Sequence, residues 1–336
     1  MIKKISKYVL NDIKRNYKFY LSLIILLMLF LIRFDYYIYT PGGLVDLKDR
    51  IKVDNSYESK GSFNLTYVTA LDGTIPNILL SYIIPSWDLV SLNDLRIEDE
   101  SEKEIVNRDK IYLKETSYNA IIAAFNEAGI EYTINNVDVV VTYIYEESNT
   151  NLKTGDIIKS VNDVNILSVN DLKVEINKHN ENEMIYLKVL RDNKIIECNA
   201  IIFKKNNNKY VGVSLSELKD ITTNPKVEYV FKDNESGSSR GLLCALDIYN
   251  KITNYDLTKG KTVAGTGVIY SDGTVGAIDG VKYKLKGAVK NDADIFIVPS
   301  ENYEETIKEK EKNDYKIEII EATSLHDVIL KLKELN

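Results

Sequence analysis

The spacing of hydrophobic residues changes several times along the chain. Residues 61–68 alternate apolar and polar side chains, as a half-buried strand does. Apolar side chains at positions 118, 121, 122, 125 and 128 recur at helical spacing and stop at Gly129, which predicts an amphipathic helix with a glycine C-cap. From Val137 onward short strands are predicted, two of them joined by a hairpin turn at Asp192 and Asn193. Strand and helix patterns alternate from residue 295 to the end, which predicts an α/β layer.

A continuous apolar segment, residues 19–32, follows a basic N-terminus. Residues 1–18 carry six lysines and arginines against one acid. We therefore expect an uncleaved transmembrane anchor at residues 19–38, with Lys18 and Arg33 reaching the two interfaces. The basic tail would stay in the cytoplasm and the catalytic part would be extracellular. Two alternatives fit less well. A cleaved signal peptide would need small residues at its cleavage site, and a buried core helix would not have so many lysines on one side.

A second apolar segment, residues 74–90, is interrupted by Pro76 and Pro85. The prolines are too close together to allow a membrane-spanning helix. Two interpretations remain: an exposed surface for substrate or lipid, or packing beneath the first sheet. We favour the packing interpretation.

Composition and charge exclude several classes of function. The chain has 336 residues, of which 44% are hydrophobic and 28% charged, which is typical of a globular protein. A net charge of −7 and an isoelectric point near 5.2 argue against nucleic-acid binding. The two cysteines, Cys198 and Cys244, do not form a disulfide framework. The two histidines, His179 and His326, are not beside a candidate nucleophile, and no Cys/His cluster has the spacing of a metal site.

The main chemical signal is a serine on a glycine-flanked turn. Ser239 lies between Gly237 and Gly241, directly before a helical apolar run at residues 242–249. This arrangement brings a hydroxyl to the positive end of a helix, where unpaired N–H groups can stabilise an oxyanion. A serine hydroxyl needs a base, and a lysine after the glycine turn at Gly280 can serve only when it is neutral. Its pKa must therefore fall well below the usual ~10.4.

Three segments together resemble the proteolytic domain of Lon proteases. They are the turn at residues 237–241 with the helix after it, residues 263–267 on the next predicted strand, and residues 280–284. In that family a Gly-Pro-Ser-Ala-Gly motif carries the nucleophile, and a glycine turn about 45 residues later carries a lysine base. The resemblance is close over residues 235–299 and looser over residues 39–336.

The resemblance implies roles for individual residues. Ser239 matches the nucleophile, Lys284 the base, and Thr266 a threonine that orients the lysine. Two positions depart from the family motif, since Ser238 replaces its proline and Arg240 replaces its alanine. Arg240 could lower the pKa of Lys284 further, recognise an acidic substrate, or obstruct the cleft.

Residues 152–163, which read Leu-x-x-Gly-Asp-Ile-Ile-x-x-Val-Asn-Asp, resemble the most recognisable segment of a PDZ domain. The resemblance covers residues 131–205 and implies that the domain binds peptides. Its carboxylate-binding loop is not evident, and the nearest candidate lies around residues 135–139. A small β domain that only spaces or packs remains an alternative.

These observations predict the organisation of the whole chain. Residues 114–125 resemble the first helix of the Lon proteolytic domain, so the PDZ-like unit would be inserted into the protease domain. The expected fold class is α/β, with a Lon-type proteolytic domain, an inserted PDZ-like β domain and one N-terminal transmembrane helix. The expected segments are a basic tail (1–18), an anchor (19–38), the first part of the protease domain (39–130), the PDZ-like domain (131–205) and the catalytic domain (206–336).

The predicted function is that of a membrane-tethered serine endopeptidase. It would use Ser239 and Lys284 on exposed or unfolded extracytoplasmic polypeptides, without ATP, metal or organic cofactor. The expected partners are polypeptide substrates and the membrane, but not nucleic acid. Lon-type domains often form rings, so a homo-oligomer is possible. The alternative is a catalytically inactive, membrane-tethered adaptor of the same fold that binds peptide or protein partners.

Overall fold

A computed structural model describes residues 11–232 and 235–335. The first ten residues of the predicted basic tail lie outside the described residues. The α-helices that lie wholly within the described residues are α1 (Tyr17–Leu31), α2 (Ile75–Ser81), α3 (Glu102–Ala128), α4 (Val169–Asn177), α5 (Gly241–Ile252), α6 (Val281–Lys290), α7 (Ser300–Lys312) and α8 (Leu325–Glu334). The strands are β1 (Arg33–Asp46), β2 (Ile51–Val53), β3 (Ser62–Thr74), β4 (Asp88–Ser91), β5 (Tyr132–Ile144), β6 (Ile157–Val161), β7 (Val164–Asn165), β8 (Met184–Arg191), β9 (Lys194–Ile201), β10 (Phe203–Lys205), β11 (Asn208–Tyr210), β12 (Val213–Thr223), β13 (Val227–Tyr229), β14 (Thr262–Gly265), β15 (Val268–Ile269), β16 (Val275–Gly276), β17 (Ile295–Pro299) and β18 (Glu318–Ala322).

The chain divides into two compact units, the first made of Met1–Pro41 and Val68–Leu95. In this unit β1 pairs antiparallel with β4, with Tyr36 opposite Ser91 and Tyr39 opposite Asp88. Helix α2 begins at the Pro76 end of the second apolar segment, and none of its residues is buried. Ile75, Pro76 and Ile78 are partly buried, whereas Leu79 and Leu80 are exposed. Packing of residues 74–90 beneath the first sheet therefore stays a prediction.

The predicted transmembrane anchor at residues 19–38 was wrong. No helix in the described ranges, 11–232 and 235–335, is both long and apolar enough to cross a membrane. Helix α1 has 15 residues and is about 22 Å long, against the ~30 Å of a hydrocarbon core. From Arg33 the chain is a strand, so the second half of the predicted anchor is not helical. The expected membrane partner, single-pass topology and extracellular catalytic part are not supported.

The second unit, Gly42–Tyr67 with Arg96–Asn336, contains a parallel sheet with helices on both faces. The strands follow the order β18-β17-β14-β3, and all these pairs are parallel. Successive residues of β17 point to opposite faces. Ile295 and Ile297 pack with residues of α3, α5 and α8, whereas Phe296 and Val298 pack with residues of α6 and α7. The predicted α/β layer is confirmed here.

Helix α3 is longer than its apolar spacing predicts. It begins with a capping box, in which the Ser101 side chain and the Glu104 side chain each bond the other's backbone N–H. It ends at Gly129, whose φ of 67° is left-handed, so the predicted glycine C-cap is confirmed. One side of α3 packs on α5 and another on β12 and β5.

Residues 132–223 contain an antiparallel sheet of order β12-β5-β6-β8-β9, with its own hydrophobic core. The predicted hairpin is confirmed, since Asp192 and Asn193 join β8 to β9 with φ values of 49° and 60°. Residues 135–139 lie within β5, which pairs with β12 along its length. The suggestion that these residues form a carboxylate-binding loop was therefore wrong.

A largely buried ion pair joins Asp156, just before β6, to Arg191 at the end of β8. Arg191 donates from Nε and Nη2 to the two carboxylate oxygens, each at 2.6 Å, and Asp156 is 1% exposed. Arg191→Ala would leave a buried carboxylate without its partner, so we expect a loss of about 3–5 kcal/mol in the free energy of unfolding. Chemical denaturation measures it. Lys188→Ala, which breaks the exposed pair with Asp163, is the control and should change little. Equal effects of the two variants would contradict the prediction.

Candidate active site

Ser239 lies on the turn that precedes α5. Gly237 has a φ of 86°, a left-handed conformation that favours glycine. Gly241 begins α5 in contact with α3, and a Cβ at this position would lie 2.3 Å from Thr116 Oγ1. The two glycines therefore allow the turn conformation and the close approach of α5 to α3, respectively.

Lys284 reaches Ser239 from the first turn of α6. Gly280, with a φ of 70°, is the residue before this helix, so the lysine is helical and does not lie on the glycine turn itself. Its Nζ lies 2.9 Å from Ser239 Oγ, and the residue is only 5% exposed. The structure thus brings together two predicted site residues that are 45 positions apart.

Thr266, just beyond the carboxyl end of β14, contacts both residues. Its hydroxyl donates to the Ser239 carbonyl at 3.0 Å, and Lys284 Nζ lies 3.1 Å from the same Oγ1. Because a hydroxyl has one proton, Oγ1 must accept from the lysine. A neutral Lys284 can then donate to Thr266 and direct its lone pair toward the Ser239 hydroxyl.

The surroundings of Lys284 disfavour its charged form. Burial lowers the pKa of Lys284 to about 8, from an ordinary value of 10.5. The negative charge of Asp279 opposes this effect, whereas the positive charge of Arg240 adds to it. At pH 7 about one lysine in ten would be neutral, and the fraction rises as the pH approaches the pKa.

Arg240 is part of a partly buried charge cluster beside the turn. Its guanidinium lies 3.0 Å from Glu235, and the other oxygen of Glu235 lies 2.9 Å from Arg50 Nε. The guanidinium also lies over the Phe231 ring, 4.8 Å from its centroid. Of the three expectations for Arg240, the geometry favours the electrostatic effect on Lys284, because the side chain is already held by Glu235 and Phe231.

The sequence did not predict the contacts that residues outside the Gly237–Gly241 motif make with the serine turn. Thr116 Oγ1 donates to the Ser238 carbonyl at 3.1 Å, and the Asp109 carbonyl accepts from the Gly237 N–H at 3.1 Å. Both come from α3, more than 100 positions earlier in the sequence. The one available signal was the likeness of residues 114–125 to the first helix of a Lon proteolytic domain.

Two family models match the chain. The Lon protease (S16) C-terminal proteolytic domain matches residues 230–334, and the PDZ domain matches residues 126–202. No curated protein matches the chain. Among solved structures, the PDZ domain of an SdrC-like protein from Listeria monocytogenes is 14% identical and covers 26% of this chain and 93% of its own, with a TM-score of 0.21. That likeness is too slight to support a functional conclusion.

The chain therefore contains a Lon proteolytic domain and a PDZ domain, the combination of a Lon-like PDZ protease. The first match includes Ser239, Thr266 and Lys284. Together the two domains indicate a protease that binds peptides or polypeptides. Neither match supports the expected homo-oligomer.

Replacing Lys284 should reveal the cost of its burial. A lysine with a pKa of about 8 when folded and 10.5 when unfolded reduces the free energy of unfolding at pH 7 by at most on the order of 3 kcal/mol. This destabilisation is fully present below pH 8 and disappears as the pH rises to 10.5. Lys284→Met should therefore have a higher Tm than the wild type at pH 7, and the gap should narrow toward pH 10.

Lys290→Met, at the exposed end of the same helix, is the matched control. Its Tm should follow that of the wild type at every pH. A constant difference between Lys284→Met and the wild type from pH 7 to 10 would contradict the assignment of a buried, neutralisable lysine.

Proposed function

We propose that this protein is a serine endopeptidase in which Ser239 is the nucleophile and Lys284 the general base. The observation that carries the proposal is the 2.9 Å separation of Lys284 Nζ from Ser239 Oγ, with the lysine almost completely buried. Burial of a lysine beside a serine costs folding free energy, and an adaptor protein has no use for it. We therefore favour the enzyme over the inactive adaptor.

The reaction would follow the usual course of acyl transfer. Neutral Lys284 takes the Ser239 proton while Oγ attacks the scissile carbonyl, which forms a tetrahedral intermediate. The protonated lysine then gives its proton to the leaving amine, and an acyl ester remains on Ser239. Lys284 next removes a proton from a water molecule that attacks the ester, and return of that proton to Oγ releases the carboxylate product.

The negative oxygen of each intermediate would be held at the N-terminus of α5. The N–H groups of Ser239 and Arg240 donate to no backbone carbonyl in the part of the chain that the structure describes. They lie at the positive end of the α5 dipole. Donors in such positions stabilise charge that develops in the transition state.

The proposed substrates are exposed or unfolded polypeptide segments, cleaved without ATP. The PDZ domain would contribute peptide binding. We also propose that the PDZ domain is inserted into the protease domain, because elements on both sides of it share one core. Strand β3 pairs with β14, and α3 packs on α5.

A comparison of four proteins tests the dyad. The wild type and its Ser239→Ala, Lys284→Ala and Ser238→Ala forms are incubated with casein, with and without ATP, and fragments are identified by mass spectrometry. We expect cleavage to be lost with Ser239→Ala and Lys284→Ala, kept with Ser238→Ala, and unaffected by ATP. Loss of cleavage with Ser238→Ala alone would show that Ser238, and not Ser239, is the nucleophile. The same fragments from all four proteins would disprove the proposal.

The dependence of activity on pH should report Lys284. Because only neutral lysine can act as the base, kcat/KM should rise with pH, with its midpoint near the Lys284 pKa of about 8. Arg240→Met should shift the midpoint upward, since a positive charge that lowers this pKa is removed. Lys290→Met should not shift it. A profile that is flat between pH 6 and 9 would contradict a lysine base.

A further inference from the structure

Two residues on one face of α3 hold the turn that carries Ser239. Asp109 and Thr116 are seven positions apart, which places them two turns apart on the same side of a helix. The Asp109 carbonyl accepts from the Gly237 N–H, and the Thr116 hydroxyl donates to the Ser238 carbonyl, each at 3.1 Å. Thr116 is 2% exposed, so water does not compete for this hydrogen bond.

The Thr116 hydrogen bond acts on the peptide group that includes the Ser239 N–H. A trans peptide is planar, and its C=O and N–H point in opposite directions. Holding the Ser238 carbonyl toward α3 therefore directs the Ser239 N–H to the opposite side. This N–H is one of the two proposed oxyanion donors.

The next peptide group is fixed in the same way from the other side of the turn. The Ser239 carbonyl accepts from the Gly267 N–H at 2.8 Å and from Thr266 Oγ1 at 3.0 Å. These contacts fix the direction of the Arg240 N–H. Each proposed oxyanion donor thus belongs to a peptide whose carbonyl is held by a threonine hydroxyl, Thr116 for one and Thr266 for the other.

We propose that Thr116 is a positioning residue of the oxyanion site, and that its hydroxyl sets the direction of the Ser239 N–H from α3. The inference rests on the proposed function, and it assigns the residue no contact with substrate. Its effect should fall on the transition state, where the oxyanion develops, and not on substrate binding.

Thr116→Ala and Thr116→Ser form the critical pair, because both lack the methyl group and only serine keeps the hydroxyl. We expect Thr116→Ala to lower kcat by about 10- to 100-fold with KM changed by less than about 3-fold. Thr116→Ser should stay within about 3-fold of the wild type. Ser117→Ala removes the neighbouring buried hydroxyl, which donates to the Leu113 carbonyl within α3, and should retain wild-type kinetics.

A peptide aldehyde and hydrogen exchange separate positioning from general loss of structure. The aldehyde forms a hemiacetal whose oxygen occupies the oxyanion position, so Thr116→Ala should weaken its inhibition in proportion to the loss of kcat/KM. Hydrogen exchange of residues 237–241, followed by mass spectrometry, should accelerate in Thr116→Ala but not in Ser117→Ala.

Equal losses of kcat in Thr116→Ala and Thr116→Ser would overturn the proposal, because packing and not the hydroxyl would then matter. Unchanged exchange of residues 237–241 in Thr116→Ala would overturn it as well. If the wild type does not cleave casein, the proposed function fails, whereas the exchange experiment still tests whether Thr116 holds the turn.

Discussion

The burial of Lys284 beside Ser239 is the constraint on which the arrangement of the site depends. A protonated amine loses much of its hydration in this position, and burial lowers its pKa to about 8. The surrounding groups make the neutral form useful, since Thr266 accepts a hydrogen bond from the amine and Ser239 presents a hydroxyl to it. The burial that destabilises the fold is therefore the same burial that lowers the pKa of Lys284, as a general base requires.

Such a base is useful only if the serine stays in place, and the fold holds the serine turn from two sides. Residues after β14 hold the Ser239 carbonyl, and α3 holds the Gly237 N–H and the Ser238 carbonyl. The parallel sheet fixes the first set, while packing of α3 on α5 fixes the second. The departures from the Lon motif are side-chain changes at Ser238 and Arg240. The contacts that hold the turn are made by main-chain groups, including the Ser238 carbonyl.

Local patterns predicted the elements but not the contacts between distant parts of the chain. Apolar spacing identified the end of α3 at Gly129 and the alternating elements after residue 295, because those signals lie within a few residues of one another. Thr116 meets Ser238 across 122 positions, and Arg50 meets Glu235 across 185, so no local pattern reveals them. The prediction of a transmembrane anchor was wrong because an apolar run does not show where its helix ends, and α1 ends at Leu31.

Helix α3 also limits how the role of the PDZ domain can be tested. Helix α3, which packs on α5, also packs on β12 and β5, the two longest strands of the antiparallel sheet of residues 132–223, and β5 lies within the PDZ match. The segment before α3 is attached to the same sheet, since Tyr143 donates to the Ile97 carbonyl at 2.9 Å. Deleting the PDZ domain would therefore remove support from the helix that holds the serine turn. Loss of activity in such a deletion could not be assigned to lost peptide binding, whereas substitutions in the PDZ domain remote from β5 and β12 would leave α3 supported.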